Sequence, residues 1–78
     1  MADDLVLRVV RITADVLGES PELLSPDTRR SDLESWDSIA HLNLVVALED
    51  EFSIAITVDD FDKMDGIAAV TELVRTRM

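Results

Sequence analysis

The 78-residue chain has no cysteine and no tyrosine, and only two glycines, two prolines, one histidine and one tryptophan. Without cysteine there can be no disulfide framework, no thiolate metal site and no thiol nucleophile. One histidine is too few for a histidine-based metal site, so none is expected. No apolar run approaches the ~20 residues that a membrane-spanning helix requires, so no membrane insertion is expected. Positive charge is scarce: seven Lys and Arg stand against 17 Asp and Glu, for a net charge of −10. Nucleic acids and anionic membranes are polyanions and would be repelled, whereas cationic partner surfaces are favoured. The opening Met1-Ala2-Asp3-Asp4 is acidic where a secretory signal needs a basic start, so a cytoplasmic, reducing location is expected.

Apolar residues, by contrast, make up 47% of the chain, too many for acidic disorder. So short a chain builds one core, and residues 1–78 are expected to form a single domain and to act as a monomer. A domain of this size has little room for a catalytic pocket. A module handled by other proteins, and not an enzyme, is the expectation.

Leu5, Val6, Val9, Ile12, Val16 and Leu17 recur at helical spacing and predict an amphipathic helix from about Asp3 to Leu17. Gly18 is placed to end it. Ser20-Pro21 and Ser25-Pro26 restrict the backbone before each proline. Residues Glu19 to Trp36 therefore read as a long loop with short helical turns, anchored by Leu23, Leu24 and Leu33. Asp37-Ser38 opens a second helix running to about Phe52. Ser53 to Ile56 reads as a connecting loop with Ile54 and Ile56 buried. Thr57 and Asp60 resemble a capping box opening a short helix to about Met64. Asp65-Gly66 breaks it, and Ile67, Val70, Leu73 and Val74 define a last helix to about Arg77. The expected fold is all-α: a small four-helix bundle, three longer helices and one short, with a long first loop.

The second helix carries more apolar surface than one core face needs. His41, Leu44, Val45, Leu48 and Phe52 form one stripe. Ile39, Leu42 and Val46 form another that points largely away from it, flanked by Asn43, Glu49 and Asp50. The second stripe either packs under the long loop or forms an exposed apolar patch with an acidic rim, the mark of a docking site. Ser38 lies beside it. Its plain role is helix capping. Its alternative is to carry a phosphate at the helix N-terminus, where free N–H groups and the dipole favour an anion. Asp37 is a competing anion there, or a group that helps a modifying enzyme orient its metal or basic residues.

Leu33-Glu34-Ser35-Trp36-Asp37-Ser38-Ile39, followed by Leu42-Asn43-Leu44-Val45-Val46-Ala47-Leu48-Glu49-Asp50-Glu51-Phe52, resembles the acyl carrier protein family. That family's signature is Asp-Ser-Leu opening a helix that ends in an acidic cluster and Phe. The resemblance extends over the whole chain. It implies that Ser38 is esterified by 4′-phosphopantetheine, taken from coenzyme A by a phosphopantetheinyl transferase that needs a divalent cation, with Asp37 as its motif neighbour. The arm's thiol would hold acyl or aminoacyl groups as thioesters. The domain would present them to loading enzymes and to a ketosynthase, acyltransferase or condensing enzyme. Ile39, Leu42, Asn43, Val46, Glu49 and Asp50 would form the surface that partners read, extended by Asp62 and Met64. The chain departs from the fatty-acid form: Glu34-Ser35-Trp36 replaces a stretch with Gly, Ile39 replaces Leu, and Asn43 stands where Glu is common. The Trp-Asp-Ser form looks more like free-standing carriers of polyketide or nonribosomal-peptide-type pathways. An aminoacyl carrier of the D-alanyl type and an acidic helical adaptor that carries nothing are the alternatives.

Ser38, His41 and Asp37 contain the side chains of a hydrolase triad, but Asp37 and Ser38 are chain neighbours and no Gly-x-Ser-x-Gly elbow exists. The stretch from Asp59 to Gly66 lacks the glycine and glutamate positions of a calcium loop. His41 is expected to be a partly buried structural histidine, and Trp36 to pack over the core.

Overall fold

The computed structural model describes residues 4–78. Met1, Ala2 and Asp3, including the expected helix start at Asp3, lie outside the described residues. Four helices form the fold: α1 (Asp4–Leu17), α2 (Ser38–Phe52), α3 (Val58–Lys63) and α4 (Ile67–Arg77). The long connection between α1 and α2 contains two 3₁₀ turns, Pro21–Leu23 and Arg30–Asp32. Among the described residues the one β-type pairing is an isolated bridge between Arg29 and Gly66.

Each helix boundary has a local cause. Gly18 adopts a left-handed φ of 71°, and the amides of Gly18 and Glu19 return to the carbonyls of Asp15 and Ala14. These two bonds satisfy the orphan carbonyls at the end of α1. At the end of α2, Ser53 takes a left-handed φ of 53° without being glycine. The Thr57–Asp60 capping box that opens α3 is present in both directions. The helix ends at Lys63, one residue before its expected end.

α1 packs against α2 and α4, and α3 against α4. Val9, Leu44, Leu48, Ile67, Val70 and Val74 are fully buried at the centre. Trp36 and Leu24 join them from the long loop, and Leu33 packs against the edge. Leu23, expected to anchor that loop, is instead 64% exposed; it ends the first 3₁₀ turn, and its neighbour Leu24 takes the inward position. Ile54 and Ile56 are half-buried.

The long loop is fastened to the junction of α3 and α4. The Arg30 amide donates to the Asp65 carbonyl at 2.8 Å, and the Ile67 amide to the Thr28 carbonyl at 2.9 Å. Gly66 lies between them. A Cβ there would stand 2.8 Å from the Thr28 carbonyl oxygen and 3.0 Å from the Arg29 Cα, so the strand-like crossing needs glycine.

Candidate functional site

Asp37 and Ser38 are both good helix-capping residues, and the structure assigns the cap to Asp37. Its carboxylate accepts the Ala40 amide at 2.8 Å and its carbonyl accepts the His41 amide at 2.9 Å. Ser38 is the first residue of α2 and is exposed. Of the two roles open to Ser38, capping is thus taken by its neighbour: with the extended backbone of Asp37 in the cap position, the hydroxyl of Ser38 is not committed to the helix's own amides. A side chain at this place can be approached from solvent and esterified without breaking the cap. The first turn's amides and dipole then favour a phosphate beside it, in competition with the Asp37 carboxylate.

The two stripes of α2 part company in the structure. His41, Leu44, Val45 and Leu48 are buried, while Ile39, Leu42 and Val46 are 74%, 56% and 59% exposed. The second stripe is therefore not covered by the long loop. From Ser38 to Val46 it runs about 12 Å along the helix. Asn43 and Asp50 are exposed beside it.

Three residues of the expected partner surface behave differently from one another. Asp62 is exposed on α3, and its charge reaches His41. Met64 is 1% exposed and belongs to the core. That corrects its assignment to the surface: Met64 follows Asp60 by four residues and shares its inward side, whereas Asp62, two residues on, points out. Glu49 is half-buried, and its carboxylate accepts the Ile56 amide at 3.0 Å. It closes the loop after α2, so its charge is partly spent inside the molecule. Glu51 leans to the other side and pairs with Arg8 at 3.1 Å; the Arg8 guanidinium also lies 4.5 Å over the Phe52 ring. Asp50 is the acid of this cluster that remains on the exposed stripe.

Behind Ser38 lies a buried polar chain that the sequence did not reveal. The Trp36 indole N–H donates to His41 Nδ1 at 2.9 Å, and His41 Nε2 lies 2.9 Å from the Phe61 carbonyl oxygen. An indole can only donate. His41 Nδ1 must therefore be the acceptor, Nε2 carries the proton, and the ring is neutral. Burial pushes the His41 pKa below its ordinary value of 6.5, and the charge of Arg30 acts in the same direction, while the Phe61 carbonyl and Asp62 oppose them. This is a structural histidine and not part of a triad, as its place in the core stripe implied. Trp36, 2% exposed, packs as expected. Among the described residues no group of acidic and histidine side chains is gathered to hold a metal ion, and no helix is long and apolar enough to cross a membrane.

Residues 7–74 match the family described as "Phosphopantetheine attachment site". The chain is 28% identical over 72 residues to an acyl carrier protein of Cyanidium caldarium, covering 92% of this chain and 84% of that one. It is 25% identical over 75 residues to an acyl carrier protein of Thermosynechococcus vestitus, covering 96% and 93% respectively. In fold it is similar to the solution structure of holo acyl carrier protein from Geobacter metallireducens, with a TM-score of 0.83, 24% identity, and 96% of this chain and 86% of that one covered. The chain belongs to the acyl carrier protein family, in which a small helical domain bears covalently attached phosphopantetheine. Proteins of this family carry cargo for enzymes and are not themselves catalysts.

Proposed function

We propose that Ser38 is the residue to which the phosphopantetheine arm is joined, and that residues 1–78 act as one cytoplasmic carrier domain. The observation that carries this reading is the division of labour at the start of α2. Asp37 caps the helix, and the neighbouring hydroxyl of Ser38 is exposed and free to react. In the loading step the Ser38 oxygen forms a bond to the phosphorus that bears pantetheine in coenzyme A. The phosphoanhydride bond breaks, the nucleotide portion leaves, and the serine proton passes to a base of the transferase. The arm supplies a terminal thiol that holds acyl or aminoacyl groups as thioesters, which suits a chain with no cysteine of its own.

Ile39, Leu42 and Val46, with Asn43 and Asp50 beside them and Asp62 on α3, form the surface offered to the transferase and to the loading, acyl-transferring or condensing enzymes. Basic rims on those enzymes would speed association, and the contacts would weaken with salt. The Trp36-Asp37-Ser38 sequence and Asn43 favour cargo of a polyketide or nonribosomal-peptide-type pathway over a primary fatty-acid role.

Incubation with coenzyme A, Mg²⁺ and a broad-specificity phosphopantetheinyl transferase should add the mass of one phosphopantetheine, and Ser38→Ala should abolish the gain. No gain with any transferase would sink the assignment. Val46→Asp should impair turnover by partner enzymes while leaving helicity intact, because Val46 is exposed; normal reaction with every cognate enzyme would remove the docking surface.

A further inference from the structure

The residue two places before Ser38 is gripped at every polar group it has. The Trp36 amide donates to the Leu33 carbonyl at 3.2 Å. Its carbonyl accepts from Arg30 Nε at 3.2 Å, and its indole N–H is held by His41 Nδ1. Next along the chain come the cap, Asp37, and then Ser38. The His41 ring in turn stands edge-on to Phe61, with centroids 4.4 Å apart, and its Nε2 proton is taken by the Phe61 carbonyl. One imidazole thus joins the long loop, α2 and α3 directly behind the reactive serine.

We propose that His41 is a positioning residue for the modification of Ser38: its neutral Nδ1 holds the Trp36 indole, and with it the backbone that presents Ser38 to the transferring enzyme. The proposal rests on the Ser38 reading above. A proton arriving on Nδ1 from solvent would set N–H against N–H, and the indole would have to leave. The charged groups that face the ring from the packed elements are Arg30 on the loop, which resists that proton, and Asp62 on α3, which favours it. Burial adds to the resistance, so the grip is complete at neutral pH and weakens only as the pH falls below 6.5.

Two variants separate positioning from mere folding. His41→Asn keeps an acceptor near the Nδ1 position but cannot titrate. His41→Leu fills similar space and leaves the indole unpaired. Transfer from coenzyme A onto the full chain is followed by mass between about pH 8 and about pH 5, a span that brackets the ordinary imidazole value. With His41→Leu, kcat should fall about tenfold, the scale of one orphaned buried donor, at unchanged KM for the carrier, since Ile39, Leu42 and Val46 are untouched. His41→Asn should recover most of the rate. The ratio of wild-type to His41→Asn rates, in which the transferase's own pH dependence cancels, should be flat above about pH 6.5 and fall below it. Trp36 is the single tryptophan, so its fluorescence should change over that same range in wild type and not in His41→Asn. Wild-type kcat in His41→Leu, a rate ratio independent of pH, or a fluorescence transition that survives in His41→Asn would each overturn the positioning role while Ser38 remained modified. Absence of any mass gain on the wild-type chain would overturn the Ser38 reading and this proposal together.

Discussion

The short helix α3 is held by a buried polar network at each end, and the two networks have opposite characters. Near its C-terminus the link is neutral: Trp36, His41 and the Phe61 carbonyl share two protons and no charge. At its N-terminus the link is ionic. Asp60, 3% exposed, receives both terminal nitrogens of Arg77 at 2.7 Å and also closes the capping box with Thr57. Arg77 reaches the Ala55 carbonyl as well, so the last turn of α4 fastens the loop that leads into α3. A six-residue helix cannot stand by itself. It is kept by what grips it: the neutral grip on Phe61 joins it to α2 behind Ser38, and the ionic grip on the neighbouring Asp60 joins it to the last turn of α4.

The largest expected effect comes from breaking the ionic end. Asp60→Ala removes the cap's return bond and the Arg77 pair at once, and should lower Tm more than any other change described below. Arg77→Ala, which leaves the capping box intact, should cost less. If thermal unfolding followed by circular dichroism shows the two variants equal, the capping half of the Asp60 role is negligible.

Acid acts on the two ends with the same sign but in different ranges. The His41 pKa is lowered in the fold by burial, so the neutral ring's contribution is complete above the unfolded value of 6.5 and is lost as the pH falls from there toward the folded value. Asp60 is also lowered, chiefly by the Thr57 backbone amide and then by Arg77. Its contribution is present above 3.8 and is lost as the pH falls from there toward its folded value. Tm against pH should therefore show two descents. His41→Asn should erase the upper one alone, and Asp60→Asn the lower one alone. A single descent in wild type would mean that one of the networks does not sense protons.

Much of the fold was legible because its signals are local. The helical spacing of Val9 and Ile12, Gly18 at the end of α1, and the Thr57–Asp60 box each act within a turn or two of chain. The exposed stripe of α2 was visible as a surplus of apolar residues, although only packing could decide that the long loop leaves it bare. What was hidden involved partners distant in sequence or choices between near equals. Asp37 and Ser38 have comparable capping ability, and a shift of one residue decides which of them remains free. Nothing local pairs His41 with the Phe61 carbonyl or Asp60 with Arg77, since those contacts arise when α2, α3 and α4 converge. Met64 was misplaced because a helix of one and a half turns has no periodicity from which to read its inward side.

Gly66 tests the neutral end indirectly, through the loop that carries Trp36. Gly66→Ala would drive a Cβ against the Thr28 carbonyl, backbone that cannot swing aside as a side chain could, and should cost about 1–3 kcal/mol of stability. It should also redshift the Trp36 fluorescence if the crossing and the indole move together. An unchanged spectrum in a destabilised variant would show that the loop yields locally, with His41 still holding the indole.

The smallest effect lies at the ionic end and should be favourable. Ser53 occupies the left-handed region at the close of α2, where a side chain costs about 1 kcal/mol relative to glycine. Its amide and that of Ile54 both return to the Glu49 carbonyl, so the turn is required by the path from α2 to the Thr57 cap and does not relax to suit the residue. Ser53→Gly relieves the strain but loosens the unfolded chain, and the two effects oppose each other. A net gain of a few tenths of a kcal/mol is expected from denaturant unfolding. The gain should persist in Arg77→Ala if the turn is set by the Glu49 carbonyl and the Glu49–Ile56 bond. It should vanish there if the Arg77 grip on the Ala55 carbonyl is what forces the left-handed turn.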